Sequence, residues 1–345
     1  MKRILLLVAG AAVLAAPAAA AATAPTFALV PQHYDPKLRA TESYFVAQAV
    51  PGTTFTNSVR VSNQGGTGGS ALLYAVDATT GQTSGAVYLD RTKPRRDVGA
   101  WIELGKSSVS LGPGQSVVVP FTVHVPAGAH PGDHLGGIVA ENQTITHSTG
   151  KGALQIRIRH LTIVAVEVQV PGPTVARVDV TAVKAAGQHG YQFVDLHLVN
   201  TGSVTTKPTG TLLVTDSSGA QVASRALKLD SLLPGTTIDY PVLLPAKALQ
   251  PGSYHATVDL TFGADQLGYR RTPGTTQSIT HGFDFTVSNG QYKQVFQGVK
   301  PVQPVQQAKS SSGSGSTLML IVAGLAVLLA ALVVLVLALR RWPHR

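Results

Sequence analysis

Val59-Arg60-Val61-Ser62-Asn63-Gln64-Gly65 has a counterpart in Leu196-His197-Leu198-Val199-Asn200-Thr201-Gly202. Each segment alternates apolar and polar side chains, as a strand with one buried face requires, and then runs into an Asn-x-Gly turn. Asparagine suits that place because its side chain can hydrogen-bond its own backbone two residues on. The match continues downstream. Leu111-Gly112-Pro113-Gly114, a strand containing Pro120, and Pro131-Gly132 correspond to Leu232-Leu233-Pro234-Gly235, Pro241 and Pro251-Gly252. The Pro-Gly pairs lie 18 residues apart in the first copy and 17 in the second.

The same period of two runs through the rest of residues 25–289. Val194, Leu196 and Leu198 alternate with Asp195 and His197, and Ala256, Val258, Leu260 and Phe262 with Thr257, Asp259 and Thr261. No helical periodicity of useful length interrupts them. The fold class is therefore all-β: two tandem immunoglobulin-like β-sandwiches, the first over residues 27–170 and the second over 174–288. Pro171-Gly172-Pro173 joins them, short and stiff, and predicts little interdomain motion. The run Leu154 to Val170, in which Ile156 and Ile158 alternate with Arg157 and Arg159, reads as one long last strand of the first sandwich.

Both ends read as membrane signals. Lys2-Arg3, the apolar run Ile4 to Leu14 and an Ala-rich stretch to Ala22 make a secretory signal peptide over 1–22. Thr317 to Leu339 is 23 residues without a charge, roughly 34 Å as a helix and enough to span the hydrocarbon core. The tail 340–345 carries Arg340, Arg341 and Arg345, which places it in the cytoplasm. Residues 289–316, rich in Pro and Gln and then Ser and Gly, read as a flexible linker. The expectation is a single-pass type I protein of the cell membrane, with its ectodomain on the wall side. No sortase-type Leu-Pro-x-Thr-Gly motif precedes the span.

Composition narrows the function. There is no cysteine, hence no disulfide framework or thiolate site. The formal charge is +10, but without the five bases at the two ends the middle holds 22 bases against 17 acids. That dispersed excess excludes a nucleic-acid binder and suits an anionic wall or membrane surface. No nucleophile elbow, no His-Glu-x-x-His and no carboxylate pair in an evident cleft motif is present, so the reading is not an enzyme and calls for no cofactor.

The two copies differ in one place. From Gly81 to Pro113 is 32 residues, against 15 from Gly219 to Pro234, and the surplus falls at Ala86 to Ile102. Insertions on a rigid sandwich are where binding chemistry is usually placed. This one holds the candidate ligand-binding residues Tyr88, Arg91, Lys93, Arg95, Arg96 and Trp101. The bases can pair with wall phosphates or muropeptide carboxylates, or form an ordinary solvated loop. Trp101 and Tyr88 can stack on a sugar ring, or pack in the core. His130-Pro131-Gly132-Asp133-His134 gathers two imidazoles and a carboxylate, but Pro-Gly prevents the helical turn that would align them, so it reads as a turn with no metal.

Tyr44-Phe45 leading to Pro51-Gly52, the strand ending at Asn63, Leu111-Gly112-Pro113-Gly114-Gln115, and Pro131-Gly132-Asp133-His134 followed by Leu135-Gly136-Gly137-Ile138-Val139 together resemble the peptidoglycan-binding domain of WxL-interacting proteins. Those are surface proteins of Gram-positive bacteria, and the resemblance covers roughly residues 27–170. It implies that the first sandwich binds peptidoglycan or another anionic wall polymer and that the second docks a protein partner, such as a WxL-type surface protein. The alternative is a structural or adhesive stalk, or the ectodomain subunit of a membrane complex, with no wall affinity.

Overall fold

The computed structural model describes residues 23–147, 157–244, 248–265, 269 and 275–296. The expected signal peptide, the segment 317–339 and the tail 340–345 lie outside the described residues. Among the described residues no helix is long and apolar enough to cross a membrane.

The first half is a sandwich of two sheets. One contains β1 (Phe27–Pro31), β3 (Thr54–Asn63), β8 (Ser116–His124) and β6 (Ile102–Leu104), hydrogen-bonded in the order β1-β3-β8-β6. The other runs β2-β12-β9-β4-β5, from β2 (Phe45–Gln48), β12 (Leu161–Val170), β9 (Gly132–Asn142), β4 (Gly69–Thr80) and β5 (Ala86–Tyr88). β7 (Ser108–Leu111) pairs with the start of β4. All pairings are antiparallel except β2 with β12: after β1 the chain crosses to the second sheet and lies parallel to its last strand. That sheet switch at the N-terminal edge is an immunoglobulin-type feature.

The last strand is shorter than the sequence pattern suggested. Arg157–Ile158 (β11) pairs with Thr146–His147 (β10) as a separate small ladder, and β12 begins at Leu161; residues 154–156 lie outside the described ones. The break falls at Arg159-His160, where the His160 carbonyl accepts the Asn142 amide at 2.9 Å.

The second half pairs β13 (Val178–Gln188), β14 (Tyr191–Asn200) and β17 (Thr237–Leu243) in one sheet. The opposing sheet runs β16-β15-β18-β19, from β16 (Gln221–Lys228), β15 (Thr209–Asp216), β18 (Gly252–Phe262) and β19 (Gln277–Val287). Each half has its own core. The first gathers Val59, Val61, Val119, Phe121, Ile138 and Val166, and the second Leu196, Leu198, Leu212, Val258 and Leu260. Both sets sit at alternate strand positions, as burial of one strand face demands.

The repeated asparagine does the same job in each half. Asn63 is fully buried; its Nδ2 donates to the carbonyls of Thr67 (2.8 Å) and Leu111 (3.0 Å), and its Oδ1 accepts the Gly65 amide at 3.0 Å. Asn200, also fully buried, donates to Val204 (3.0 Å) and Leu232 (2.8 Å) and accepts from Gly202 at 2.9 Å. The amides of Gly114 and Gly235 close the motif on the Asn63 and Asn200 carbonyls, each at 2.9 Å. Each asparagine thus ties its own turn to the distant Pro-Gly turn.

One boundary changes. Residues 289–296, expected as linker, form a helix, α2 (Asn289–Phe296), docked on the second sandwich. Val295 is buried, its carbonyl accepts the Gly190 amide at 2.8 Å, and its methyls sit where a side chain at Gly187 would stand. Tyr292, one turn earlier, also packs against the second core.

Candidate functional site

The insertion crosses from one sheet to the other. β5 pairs with the end of β4 through Ala78 and Tyr88, and the Leu89 amide continues the contact to the Asp77 carbonyl. A tight turn follows, in which Asp90 Oδ1 accepts the Thr92 amide at 2.9 Å. That hydrogen bond holds the Asp90 carboxyl below its ordinary range, with Arg159 and Arg91 adding to the effect. The chain then turns inward around Asp77, a buried carboxylate that accepts the amides of Arg96, Asp97 (3.1 Å) and Gly99 (2.7 Å). These amides open the one-turn helix α1 (Val98–Trp101). Val98, Trp101 and Ile102 enter the core, and β6 then joins the opposite sheet against β8.

Two glycines of β9 allow this. A Cβ on Gly136 would stand 2.7 Å from the Val76 carbonyl oxygen and 3.0 Å from the Gly99 amide, so α1 lies flat on the strand. A Cβ on Gly137 would stand 2.9 Å from the Tyr88 ring and from Ile163. The Gly-Gly pair is thus the seat of the insertion on both faces of the sheet.

The predicted site residues separate accordingly. Trp101 is no ligand platform: it is 7% exposed, packed in the core, and its ring lies 4.7 Å from that of His134. A residue at the point where the chain re-enters the sandwich is drawn inward by its large apolar area. Arg95 turns back to donate Nη1 to the Gly99 carbonyl at 3.2 Å, bracing α1. Arg96 has an exposed side chain, while its amide serves Asp77. Tyr88 is partly buried across Gly137, and burial, then the charge of Glu167 and then Tyr44, push its phenol up to about 12. Arg91 and Lys93 are exposed on the outer face.

That outer face holds a cluster that sequence reasoning did not assemble. Glu141, at the end of β9, is 5% exposed although charged. Its Oε2 accepts the Tyr74 hydroxyl at 2.8 Å and lies 3.6 Å from Arg91 Nε, while its Oε1 lies 3.4 Å from Arg159 Nε. Burial, followed by the hydrogen bond to Glu141, raises the Tyr74 pKa well above the usual phenol range. Arg91 comes from the insertion, Arg159 from the link between β11 and β12, and Tyr74 from β4. Both arginine side chains are about half-exposed, at 45% and 48%. Leu161 and Ile163, at 44% and 37%, carry the face on as apolar surface. The alternation of Arg157 and Arg159 hinted at an outward basic strand, but nothing local linked it to Arg91, 68 positions earlier.

The second region of interest is the seam between the sandwiches. The Asp133 amide donates to the Ser203 carbonyl at 2.9 Å, and Asp133 Oδ2 accepts the Thr205 amide at 2.8 Å. Thr80 Oγ1 accepts the Leu233 amide at 2.8 Å and meets the Thr236 hydroxyl at 2.6 Å. Ser84 Oγ accepts the Asp230 amide at 2.7 Å, and the Gly85 amide donates to Ser231 at 2.9 Å. Beside these contacts opens a cleft of about 550 Å³, lined by Asp97, His130, His134, Pro173, Ser203 and Pro234 among others.

His134 borders the cleft with both ring nitrogens engaged, Nδ1 by Asp97 Oδ1 at 2.7 Å and Nε2 by the His130 carbonyl at 2.8 Å. Both partners are acceptors, so the geometry suits the imidazolium. Burial pushes its pKa down, but the hydrogen bond and charge of Asp97, with help from His130 and Asp133, outweigh that, and the net shift is upward. Among the described residues no three His, Asp or Glu side chains converge as metal ligands.

No family model and no curated protein matches the sequence. Among solved structures, the chain is similar to the class 5 fimbriae chaperone CfaA at 13% identity and a TM-score of 0.34, over 73% of this chain and 98% of that one. The CsuC–CsuE chaperone–tip adhesion subunit complex of Acinetobacter baumannii gives 11% identity and a TM-score of 0.35, over 74% and 97%. The Escherichia coli chaperone DraB gives 12% and 0.31, over 77% and 98%. Likenesses of this degree are ones of general shape.

Proposed function

We propose that this protein is a non-enzymatic surface protein, anchored by the span at 317–339, whose first sandwich binds an anionic polymer of the cell wall. The second sandwich displays or docks a protein partner, as the resemblance to WxL-interacting proteins implies. The observation that carries the reading is the outer-face cluster. Two half-exposed arginines, brought from distant parts of the chain, are ion-paired with one buried carboxylate. Burying Glu141 costs desolvation energy, and its two arginines and Tyr74 offset that cost. The result is a basic surface with partly exposed Tyr88, Leu161 and Ile163 for apolar contact. Arg91, Lys93 and Tyr88 remain in the proposed site; Arg95 supports it from behind, Arg96 flanks it, and Trp101 leaves it.

The test is co-sedimentation of the full-length chain, in detergent, with purified sacculi across a salt series. The wild type is expected to pellet with sacculi at 0.15 M salt, and Arg91→Ala/Arg159→Ala to lose about tenfold in affinity, the scale of one or two charge-assisted contacts. Absence of wild-type binding at any salt rejects a wall-binding role.

One observation favours a second reading. β2 pairs with β12 only at residues 166–169, so Leu161 to Ala165 have no ladder partner on that side among the described residues, and β1 approaches there only through the Thr162 hydroxyl, which donates to the Phe27 carbonyl at 2.6 Å. An exposed sheet edge with outward apolar side chains can accept an added strand from a protein partner.

A further inference from the structure

The loop that His134 holds is also a loop by which the first sandwich meets the second. Pro131 packs against Gly172 of the join, where an added Cβ would stand 2.7 Å from its ring. Gly132 lies so close to Ser203 that a Cβ there would be 1.9 Å from the Ser203 carbonyl oxygen. Asp133 donates its amide to that carbonyl and accepts the Thr205 amide. Just before these residues, the His130 carbonyl is engaged by His134 Nε2 at 2.8 Å. The other ring nitrogen, Nδ1, meets Asp97 Oδ1 at 2.7 Å. One imidazole therefore ties this loop to the insertion.

We infer that His134 is a proton switch on the seam: its imidazolium fastens the loop against the second sandwich, and loss of the proton loosens that contact. Both partners of the ring are acceptors, so only the imidazolium can donate to both. A neutral ring keeps one proton. Asp97 retains it, because a lone pair facing a carboxylate costs more than one facing a neutral carbonyl. Nε2 then turns its lone pair on the His130 carbonyl oxygen at a spacing that suits a hydrogen bond and nothing else. The carbonyl has to move away, and the close fits at Gly132 and Gly172 pass the displacement on to Ser203 and the join.

The charged or titratable groups facing the ring are Asp97 from the insertion, Asp133 beside it on β9 and His130 in the loop, with the Trp101 ring of α1 at 4.7 Å. The residues that the join and the second sandwich bring to the cleft, among them Pro173, Val175, Ser203 and Pro234, carry no titratable side chain. The upward shift of the His134 pKa puts the change above the ordinary value of 6.5. The contacts of Thr80 with Leu233 and of Ser84 with Asp230 involve no histidine and stay closed. What opens is the Asp133 side of the cleft.

Hydrogen exchange of the full-length chain in detergent tests this, read as protection factors so that the intrinsic effect of pH on exchange is removed. From about pH 6 to about pH 8.5 the Asp133 and Thr205 amides are expected to lose about tenfold in protection, the scale of one charge-assisted hydrogen bond. The Leu233 amide and the amides of β3 and β14 are expected to hold theirs. His134→Gln is expected to show low protection at Thr205 at both ends of the range. His130→Ala keeps the carbonyl that His134 uses and is expected to respond as the wild type does. Asp97→Asn, which leaves an acceptor without its charge, is expected to move the transition to lower pH, and it serves even if His134→Gln fails to fold. An equal loss at all the amides means that His134 stabilises the fold as a whole, and overturns the inference. So does constant protection of Thr205 in the wild type, a response that persists in His134→Gln or vanishes in His130→Ala, or an unmoved transition in Asp97→Asn.

Discussion

At the scale of single residues, buried polar groups decide more than the surface charges do. Asn63 and Asn200 each leave two carbonyls and at least one amide without partners if truncated. Asn63→Ala or Asn200→Ala is expected to cost about 3 kcal/mol, the scale for several unsatisfied buried groups, and thermal unfolding of each variant measures it. His134 gives a pH dependence with a definite sign. Its folded-state pKa is raised, so the folded chain binds more protons than the unfolded one around and above pH 6.5. The stabilisation is complete below that value and is lost as pH rises through the folded pKa. Melting temperatures of the wild type are therefore expected to fall from pH 6 towards pH 8 relative to His134→Gln. A constant difference between the two across that range counts against the linkage.

At the scale of elements, the insertion and β9 form one unit. Gly136→Ala drives a methyl into backbone atoms that cannot yield, whereas Gly137→Ala meets the Tyr88 ring and Ile163, which can turn aside. Unfolding should show Gly136→Ala losing about 2–3 kcal/mol and Gly137→Ala markedly less, since overpacking against side chains relaxes more readily. The physical reason for Gly136-Gly137 lies in α1 and Tyr88, which pack against the two glycines from far along the chain. The strand alternation of β3, β14 and β18 was legible because it is local. α2 was not, because only Val295 and Tyr292 of a short, otherwise mostly polar segment pack on the core.

At the scale of the whole molecule, the sandwiches are joined by separated sets of hydrogen bonds: Asp133 with Ser203 and Thr205, Thr80 to Gly85 with Asp230 to Thr236, and Tyr269 with Gln169 and Asp35. Separated points fix an orientation where a single one would leave a hinge. A side chain at Gly132, whose φ is +139°, would stand 1.9 Å from the Ser203 carbonyl oxygen, so the seam is closely fitted. Asp133→Ala/Thr80→Val is expected to speed hydrogen exchange at the Thr205 and Leu233 amides and to broaden the distribution of particle dimensions in small-angle scattering. Unchanged exchange at both amides would falsify the part given to these two contacts. The stiff Pro171-Gly172-Pro173 join pointed to limited motion, but these contacts, between residues far apart in sequence, limit it further.

Local chemistry, then, determined the architecture. Alternation, Asn-x-Gly and Pro-Gly turns act over a few residues, and their repetition is sufficient to specify two sandwiches and the insertion that distinguishes them. The assembly of the outer-face cluster was a matter for tertiary structure. Arg91, Tyr74, Glu141 and Arg159 meet because β4, β9 and β12 are neighbours in one sheet, and sheet order is set by long-range pairing that leaves no mark at any one position. The same distance dependence moved Trp101 from candidate platform to core: its burial depends on where the chain re-enters the sandwich, which no neighbouring residue declares.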